Sequence, residues 1–359
     1  MKPWKLLPLV VVASLTACDR YKVLVNEGEL VLFGTPYIYL KMKVQNDFAG
    51  GKTYYRIIER LTDIDKYADT KERDITNVYT LNHTNEKVEI DFELYRLLSK
   101  ANELKETVPY FNPLVGSLSD KWKSALNPSR SSGLEPRVLT NEEIQSELDK
   151  INSSSLELER KDYKYYARRV GDAQIDLGAI AKGYALDYCL EYYINNTGIT
   201  DDFLLNLGTS SMLLGYNTNN PSTNGHGGFN PDHGNYSIRI SDLDGVYIHC
   251  QNCYVSTSSV SEQGKEIDGV MYSHIVNPET GSVINNYDAV VVTTPKAFGY
   301  GALGDVLSTS LMMRSKEEIR TFDESNTDIS VIAIKGGKID YMSEAITLYN
   351  IDGQKIVTE

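Results

Sequence analysis

Apolar positions recur along this chain with two periods, and the alternation between them sketches the fold. Four-residue spacing appears in Tyr54 to Asp65, where Ile57, Ile58, Leu61 and Ile64 share a face and Thr62 and Asp63 stand near the end. It returns in Phe92 to Leu104, in Asn141 to Ile151, after Ile180 (with Tyr184 and Tyr188) and in Leu303 to Met313. Each of these predicts an amphipathic helix. Shorter stretches read as strands: Tyr21 to Val25, Val31 to Phe33, Tyr37 to Val44, Phe203 to Leu207, Tyr236 to Ile240 and Val246 to His249. Further along, the start of Tyr272 to Ile284, the apolar run Ala289 to Thr294, and Ile329 to Ile334 with Ile339 to Met342 across Gly336-Gly337 continue the series. Thr107 to Leu118, Asn127 to Pro136 and Tyr216 to Tyr236 read as loops, and Val255 to Glu262 as a hydroxyl-rich turn. Helices and strands mix without regular βα alternation. That predicts an α+β fold of layered mixed or antiparallel sheets with packed helices, forming a single large domain.

The N-terminus follows a different pattern. Lys2 and Lys5 precede an apolar run from Leu6 to Ala13, and Leu15-Thr16-Ala17-Cys18 comes next. A basic start, a short apolar core and small residues before a cysteine make an export signal over residues 1–17. They resemble the bacterial lipobox, in which Cys18 would be acylated and become the first residue of a mature domain covering 18–359. Acylation predicts an exported protein, lipid-anchored to the cell membrane on its extracytoplasmic face.

Composition narrows the remaining choices. The 359 residues are 41% hydrophobic and 24% charged, with a formal charge of −13. That balance suits a soluble globular domain and argues against a nucleic-acid surface, which needs clustered Lys and Arg. An anionic ligand would need local cations or a metal. Of the cysteines, Cys189 falls on the apolar helix stripe and reads as packing. Cys250 and Cys253 form a lone C-x-x-C, open to a zinc site, a redox pair or a disulfide. His226 and His233 lie in the long loop.

Two stretches carry chemistry. In Asp176 to Asp187 (DLGAIAKGYALD), a glycine-containing turn delivers the Asp176 carboxylate and the Lys182 ammonium close to a helix N-terminus. The free N–H groups there favour an anion such as phosphate. More than a hundred residues downstream, Asp305, Ser308 and Thr309 stand at i, i+3 and i+4 on one helix face. An acid with two hydroxyls offers only oxygen ligands, which suits a hard cation such as Mg²⁺.

With NLGTSS (Asn206 to Ser211) and YSHIVNPETG (Tyr272 to Gly281), these stretches give four blocks, the last being GDVLSTSL (Gly304 to Leu311). In order and spacing they resemble the FAD:protein FMN transferases, formerly called thiamine-biosynthesis lipoproteins. Weaker similarity covers nearly the whole mature chain. The resemblance implies that Asp176 and Lys182 contact FAD, and that Ala179 offers a backbone carbonyl to Mg²⁺ alongside Asp305, Ser308 and Thr309. It implies flavin contacts from Phe33, from Tyr110-Phe111-Asn112, and from Ile275, with Tyr67 as the stacking tyrosine. There are departures: Asn112 stands where Asp is usual, Phe33 where Met is usual, and Ser259 where Gly is usual. ERDITNVYTLN matches the family's block after the first helix poorly.

The implied reaction is attack by a Thr or Ser hydroxyl of a target flavoprotein on the FMN-side phosphorus of FAD, releasing AMP. His274 is the candidate base, since an imidazole titrates near neutrality. Two alternatives share the site: a Mg²⁺-dependent FAD pyrophosphatase using water, and a lipoprotein that binds FAD without catalysis.

Overall fold

The structure is a computed structural model, described here for residues 20–26, 30–129, 133–194, 199–208, 210–220, 233–262 and 264–356. The export signal, Cys18 and His226 lie outside the described residues.

An eight-stranded sheet organises the molecule. Its order is Tyr21–Val25, Ile38–Gln45, Ile199–Leu207, Ser211–Leu214, Cys253–Ser259, Ala289–Pro295, Ser330–Lys335 and Lys338–Met342, with antiparallel neighbours throughout. Side chains alternate between its faces, and the Ala289–Pro295 and Ser330–Lys335 strands are largely apolar on both. Val290 and Val292 enter the large core beneath the helices Phe48–Ala68, Ala181–Ile194 and Tyr300–Leu311. Ala289 and Val291 enter a smaller core under a second sheet, Tyr236–Arg239, Tyr247–Cys250, Leu348–Tyr349 and Lys355–Ile356. The result is helices, sheet, small sheet: the layered α+β architecture that the pattern predicts.

Cys250 and Cys253 form a disulfide that ties the second sheet to the Cys253–Ser259 strand of the first. Cys189 is buried, as its place on the stripe predicts.

Several elements differ from their sequence reading. Val255 to Glu262 is no turn: most of it belongs to the Cys253–Ser259 strand near the middle of the sheet. Its serines are tolerated there because they hydrogen-bond to one another, to the buried Asp305 and to Asp242. Val31 to Phe33 is not a strand but a tight turn closed by Leu32 and Thr35. The first helix runs past both expected ends, as Phe48–Ala68, with Asp47 capping Gly50 N–H at 2.7 Å. Thr62 does not stop it, because its hydroxyl turns back to the Ile58 carbonyl at 2.8 Å. The helix Gly116–Leu126 begins inside the predicted loop. The hairpin Ser155–Lys161 and Lys164–Val170 and the helix Lys316–Ser325 go unmarked in the hydrophobic pattern, since most of their residues are polar.

The helix Asn141–Asn152 docks through Glu147, whose side chain is 1% exposed. Burial alone would raise its pKa, but hydrogen bonds from Lys121 (2.7 Å) and Lys150 (2.8 Å) hold it down to about 2. A carboxylate with a depressed folded pKa stabilises above its unfolded value, and that stabilisation is lost as pH falls through the folded one. Because both lysines are partly exposed, Glu147→Gln is expected to cost only about 1–2 kcal/mol near neutral pH. Urea melts of both proteins should show the gap near neutrality and show it closing as the buffer is taken well below pH 4.

Candidate functional site

Two helices, Ala181–Ile194 and Tyr300–Leu311, cross over the middle of the main sheet. They approach so closely that a Cβ on Gly183 would stand 2.0 Å from the Gly301 carbonyl oxygen, and one on Gly301 would stand 2.4 Å from that of Gly183. The buried Asp187 carboxylate locks the crossing by accepting from the Gly301 and Ala302 N–H groups at 2.9 and 2.8 Å. Those are among the unsatisfied donors at the start of the second helix.

One turn further on lies Asp305. The polar face expected here is not a solvated one, since Asp305 is only 7% exposed. Its Oδ1 accepts from the Ser211 and Ser256 hydroxyls, both at 2.8 Å, and its Oδ2 from Gly183 N–H at 2.6 Å. One carboxylate thereby joins two helices and two strands. Burial pushes its pKa up to about 6, against the opposing pull of Ser211, Ser256, Gly183 and the Lys182 charge. A carboxylate has about four acceptor positions. Three are filled from within the protein, and the fourth, on Oδ2, takes no protein donor.

The Gly183 bond has a further effect. An amide at this position would normally close the helical i→i−4 bond onto the Ala179 carbonyl. Because Gly183 donates to Asp305 instead, the Ala179 oxygen at the head of the helix is released from that role. Ala179 and Asp305 are thus linked through one residue.

Ser308 and Thr309 face a hydroxyl that the sequence reading missed. Ser258 Oγ lies 2.8 Å from Ser308 Oγ and 3.0 Å from Thr309 Oγ1. Both helix hydroxyls also donate back to the Asp305 carbonyl. Lys182 Nζ donates to Ser210 Oγ at 2.6 Å, in the turn before the Ser211–Leu214 strand. Asp305, Ser308, Thr309, Lys182 and Ala179 are therefore brought together.

The residues expected to meet the flavin fall in three places. Tyr110, Phe111 and Asn112 form a loop tied at one end to the Asp305 helix, where Ser310 Oγ donates to the Pro109 carbonyl at 2.6 Å. At its other end the Pro113 carbonyl accepts from Asp176 N–H at 2.8 Å, so Asp176 flanks the loop. The Asp176 carboxylate accepts from Gly178 N–H at 2.7 Å and lies 3.8 Å from Lys123 Nζ. Phe33 and Tyr67 sit instead at the far end of the Phe48–Ala68 helix, where Phe33 N–H donates to Asp65 at 2.6 Å. Both Phe33 (φ 52°) and Tyr110 (φ 60°) hold left-handed backbone. That conformation costs of order 1 kcal/mol or more for a bulky side chain and concentrates at ligand sites. His274 and Ile275 occupy a separate bend after the Val270–Tyr272 strand. Ser273 anchors that bend through the Val283 carbonyl, and Trp122 Nε1 holds Gly281 at 2.8 Å.

Sequence reasoning missed Ser210, Ser211, Ser256, Ser258, Gly183 and Asp187 as members of the site. The period-two spacing of Ser256 and Ser258 was an available signal, hidden because VSTSSVSE was read as a turn. Among the described residues no group of three or more His, Cys, Asp or Glu side chains could hold a metal. The cluster's one carboxylate is supplemented by hydroxyl and carbonyl oxygens, the donor set of a hard, partly hydrated cation.

Known proteins resemble this chain over most of its length. The sequence profile of the ApbE family matches residues 34–333. The FAD:protein FMN transferase of Vibrio cholerae (Classical Ogawa 395) is 25% identical over 338 residues, covering 91% of this chain and 92% of that protein. That of Treponema pallidum is 25% identical over 224 residues, and the match spans 60% of this chain and 59% of that relative. Among solved structures, the ApbE protein of Thermotoga maritima superimposes with a TM-score of 0.65 at 22% identity, covering 90% of this chain and 97% of that one. Flavin transferase ApbE from Vibrio cholerae gives 0.63 at 20%, covering 90% and 98%. These two structures speak for the fold.

The helix crossing yields a prediction. Gly183→Ala forces the helices apart and pulls the Gly183 amide off Asp305, at a cost of about 3 kcal/mol, the upper end of ordinary overpacking. Denaturant melts measure it, and an unchanged midpoint would show that the close crossing holds nothing together.

Proposed function

The chain belongs to the ApbE family, and from that premise we propose that it transfers the FMN half of FAD to a Thr or Ser hydroxyl of a target protein, with AMP as the leaving group. The observation that carries this reading is the oxygen cluster around Asp305, placed beside Lys182. Plain flavin binding has no need of a buried acid linked through Gly183 to a released helix-head carbonyl.

The residues fit Mg²⁺: Asp305 Oδ2, the Ala179 carbonyl and the Ser308 and Thr309 hydroxyls would hold it. When bound, the ion supplies positive charge at the pyrophosphate oxygens, where phosphoryl transfer accumulates negative charge. The protein's own share is positioning and proton handling. Lys182, held by Ser210 at the start of its helix, can exchange that hydroxyl for a phosphate oxygen. The Tyr110–Asn112 loop would orient the isoalloxazine end. The acceptor hydroxyl forms a new bond to the FMN-side phosphorus while the bond from that phosphorus to AMP breaks. The hydroxyl proton passes to the His274 imidazole, which we assign as general base.

For location we propose export and acylation at Cys18, on the strength of Leu15-Thr16-Ala17-Cys18 after a short apolar run. No helix among the described residues is long and apolar enough to cross a membrane.

Purified protein incubated with FAD, Mg²⁺ and a candidate acceptor should leave flavin fluorescence on the acceptor band of a denaturing gel, and EDTA should abolish it. FMN and AMP released at the same rate with or without acceptor would replace the transferase reading with a pyrophosphatase. Lys182→Met keeps much of the stem and removes the charge. It should weaken FAD binding by about 1.5–3 kcal/mol, the scale of a hydrogen bond to a charged group. Calorimetric titration beside an apo melt checks this: unchanged affinity with a lowered melting temperature would make Lys182 structural.

A further inference from the structure

The corner of the molecule where the described chain begins has a composition unlike the rest. The Arg20 carbonyl accepts from Asn46 N–H at 2.8 Å, which fixes the start of the Tyr21–Val25 edge strand beside the start of the Phe48–Ala68 helix. That helix buries Tyr54, Ile57, Leu61 and Ile64. Its outer stripe carries Phe48, Lys52, Tyr55 and Arg56 at helical spacing. Phe48 is 87% exposed and Tyr55 47%, although neither has a place in the core. Arg20, Lys22, Lys52 and Arg56 gather four cations here, against the carboxylates of Asp47 and Glu59 and that of Asp19, which precedes Arg20 in the chain, on a protein whose formal charge is −13. The first turn of the helix holds no acidic residue, and its positive end is answered by the Asp47 cap alone.

We infer that this corner, formed by Arg20, Lys22, Phe48, Lys52, Tyr55 and Arg56, lies against an anionic membrane surface. The inference rests on the acylation of Cys18 proposed above. Two peptide units span at most about 7 Å, so an acyl group at position 18 brings the bilayer to Arg20 and, through the Asn46 bond, to Phe48. The anchor holds the corner at the surface, where a basic patch adds attraction to anionic headgroups. Phe48 and Tyr55 supply aromatic rings at headgroup depth. The Ser211–Leu214 strand below Asp305 is three places along the sheet from Tyr21–Val25. Strand spacing therefore sets the site on the order of 15 Å from this edge.

The test uses the full chain, purified with its native N-terminus and reconstituted into vesicles of brominated phosphatidylcholine and phosphatidylglycerol. Phe48→Trp places an indole on the corner, and Tyr163→Trp places one on a distant hairpin tip that is 91% exposed. Emission of the unsubstituted protein is subtracted from both, and the mass of the N-terminal peptide reads the acylation separately. Ring burial of about 5–10 Å puts the indole among the brominated carbons, so a roughly twofold loss of Phe48→Trp emission is expected, with none for Tyr163→Trp. Adding Lys52→Glu and Arg56→Glu to Phe48→Trp should reverse most of that loss. Equal emission losses from the two indoles on an acylated protein would overturn the docked corner and leave the anchor standing. An unacylated N-terminus would overturn both.

Discussion

The Asp305 carboxylate is the interaction on which the rest of this structure depends. It is buried, it accepts from two strand hydroxyls and one helix amide, and burial lifts its pKa to about 6 in spite of them. A charge so placed is costly unless something further answers it. Lys182 answers part of it from the neighbouring helix, and one acceptor position on Oδ2 takes no protein donor. The arrangement gives up stability in the free protein and gains the oxygen cluster at which we propose that a cation and a pyrophosphate bind.

Everything around that carboxylate serves to bring four segments to it. Two glycines let the helices touch, and Asp187 pins the crossing from behind. Strand alternation aims Ser256 and Ser258 at the helix layer, while Val255 and Thr257 point away toward the second sheet and its surroundings. The disulfide between Cys250 and Cys253 sits at the head of the same strand. The Asp305 cluster and the core thus share one set of contacts.

How much of this was legible beforehand follows from where the information lay. Helix and strand periods were readable wherever one face is buried, and so the sheet, its helical cover and the α+β class could be argued from them. Asp305, Ser308, Thr309 and Lys182 could be picked out because helical spacing places them together and because four blocks resemble a family. The strand Cys253–Ser259 was not legible, because a buried strand that satisfies acids with serines looks like a polar turn. Nor was the release of the Ala179 carbonyl, which depends on a contact between residues 122 positions apart. The left-handed backbones of Phe33 and Tyr110 were equally invisible, since neither is a residue type that announces such a conformation.

The account's central claim is that Asp305 holds a cation that joins the flavin nucleotide to the protein. The most direct measurement is the melting temperature of wild type and Asp305→Asn with FAD, with Mg²⁺, and with both. Asn preserves the shape, and the Ser211 and Ser256 hydroxyls can rotate to accept from its amide. Ligands at about a hundred times their dissociation constant stabilise by about 2.7 kcal/mol, so the wild type should gain on the order of 4 °C from the pair beyond FAD alone. The variant should gain nothing from adding Mg²⁺ to FAD. An equal Mg²⁺-dependent rise in both proteins would contradict the claim.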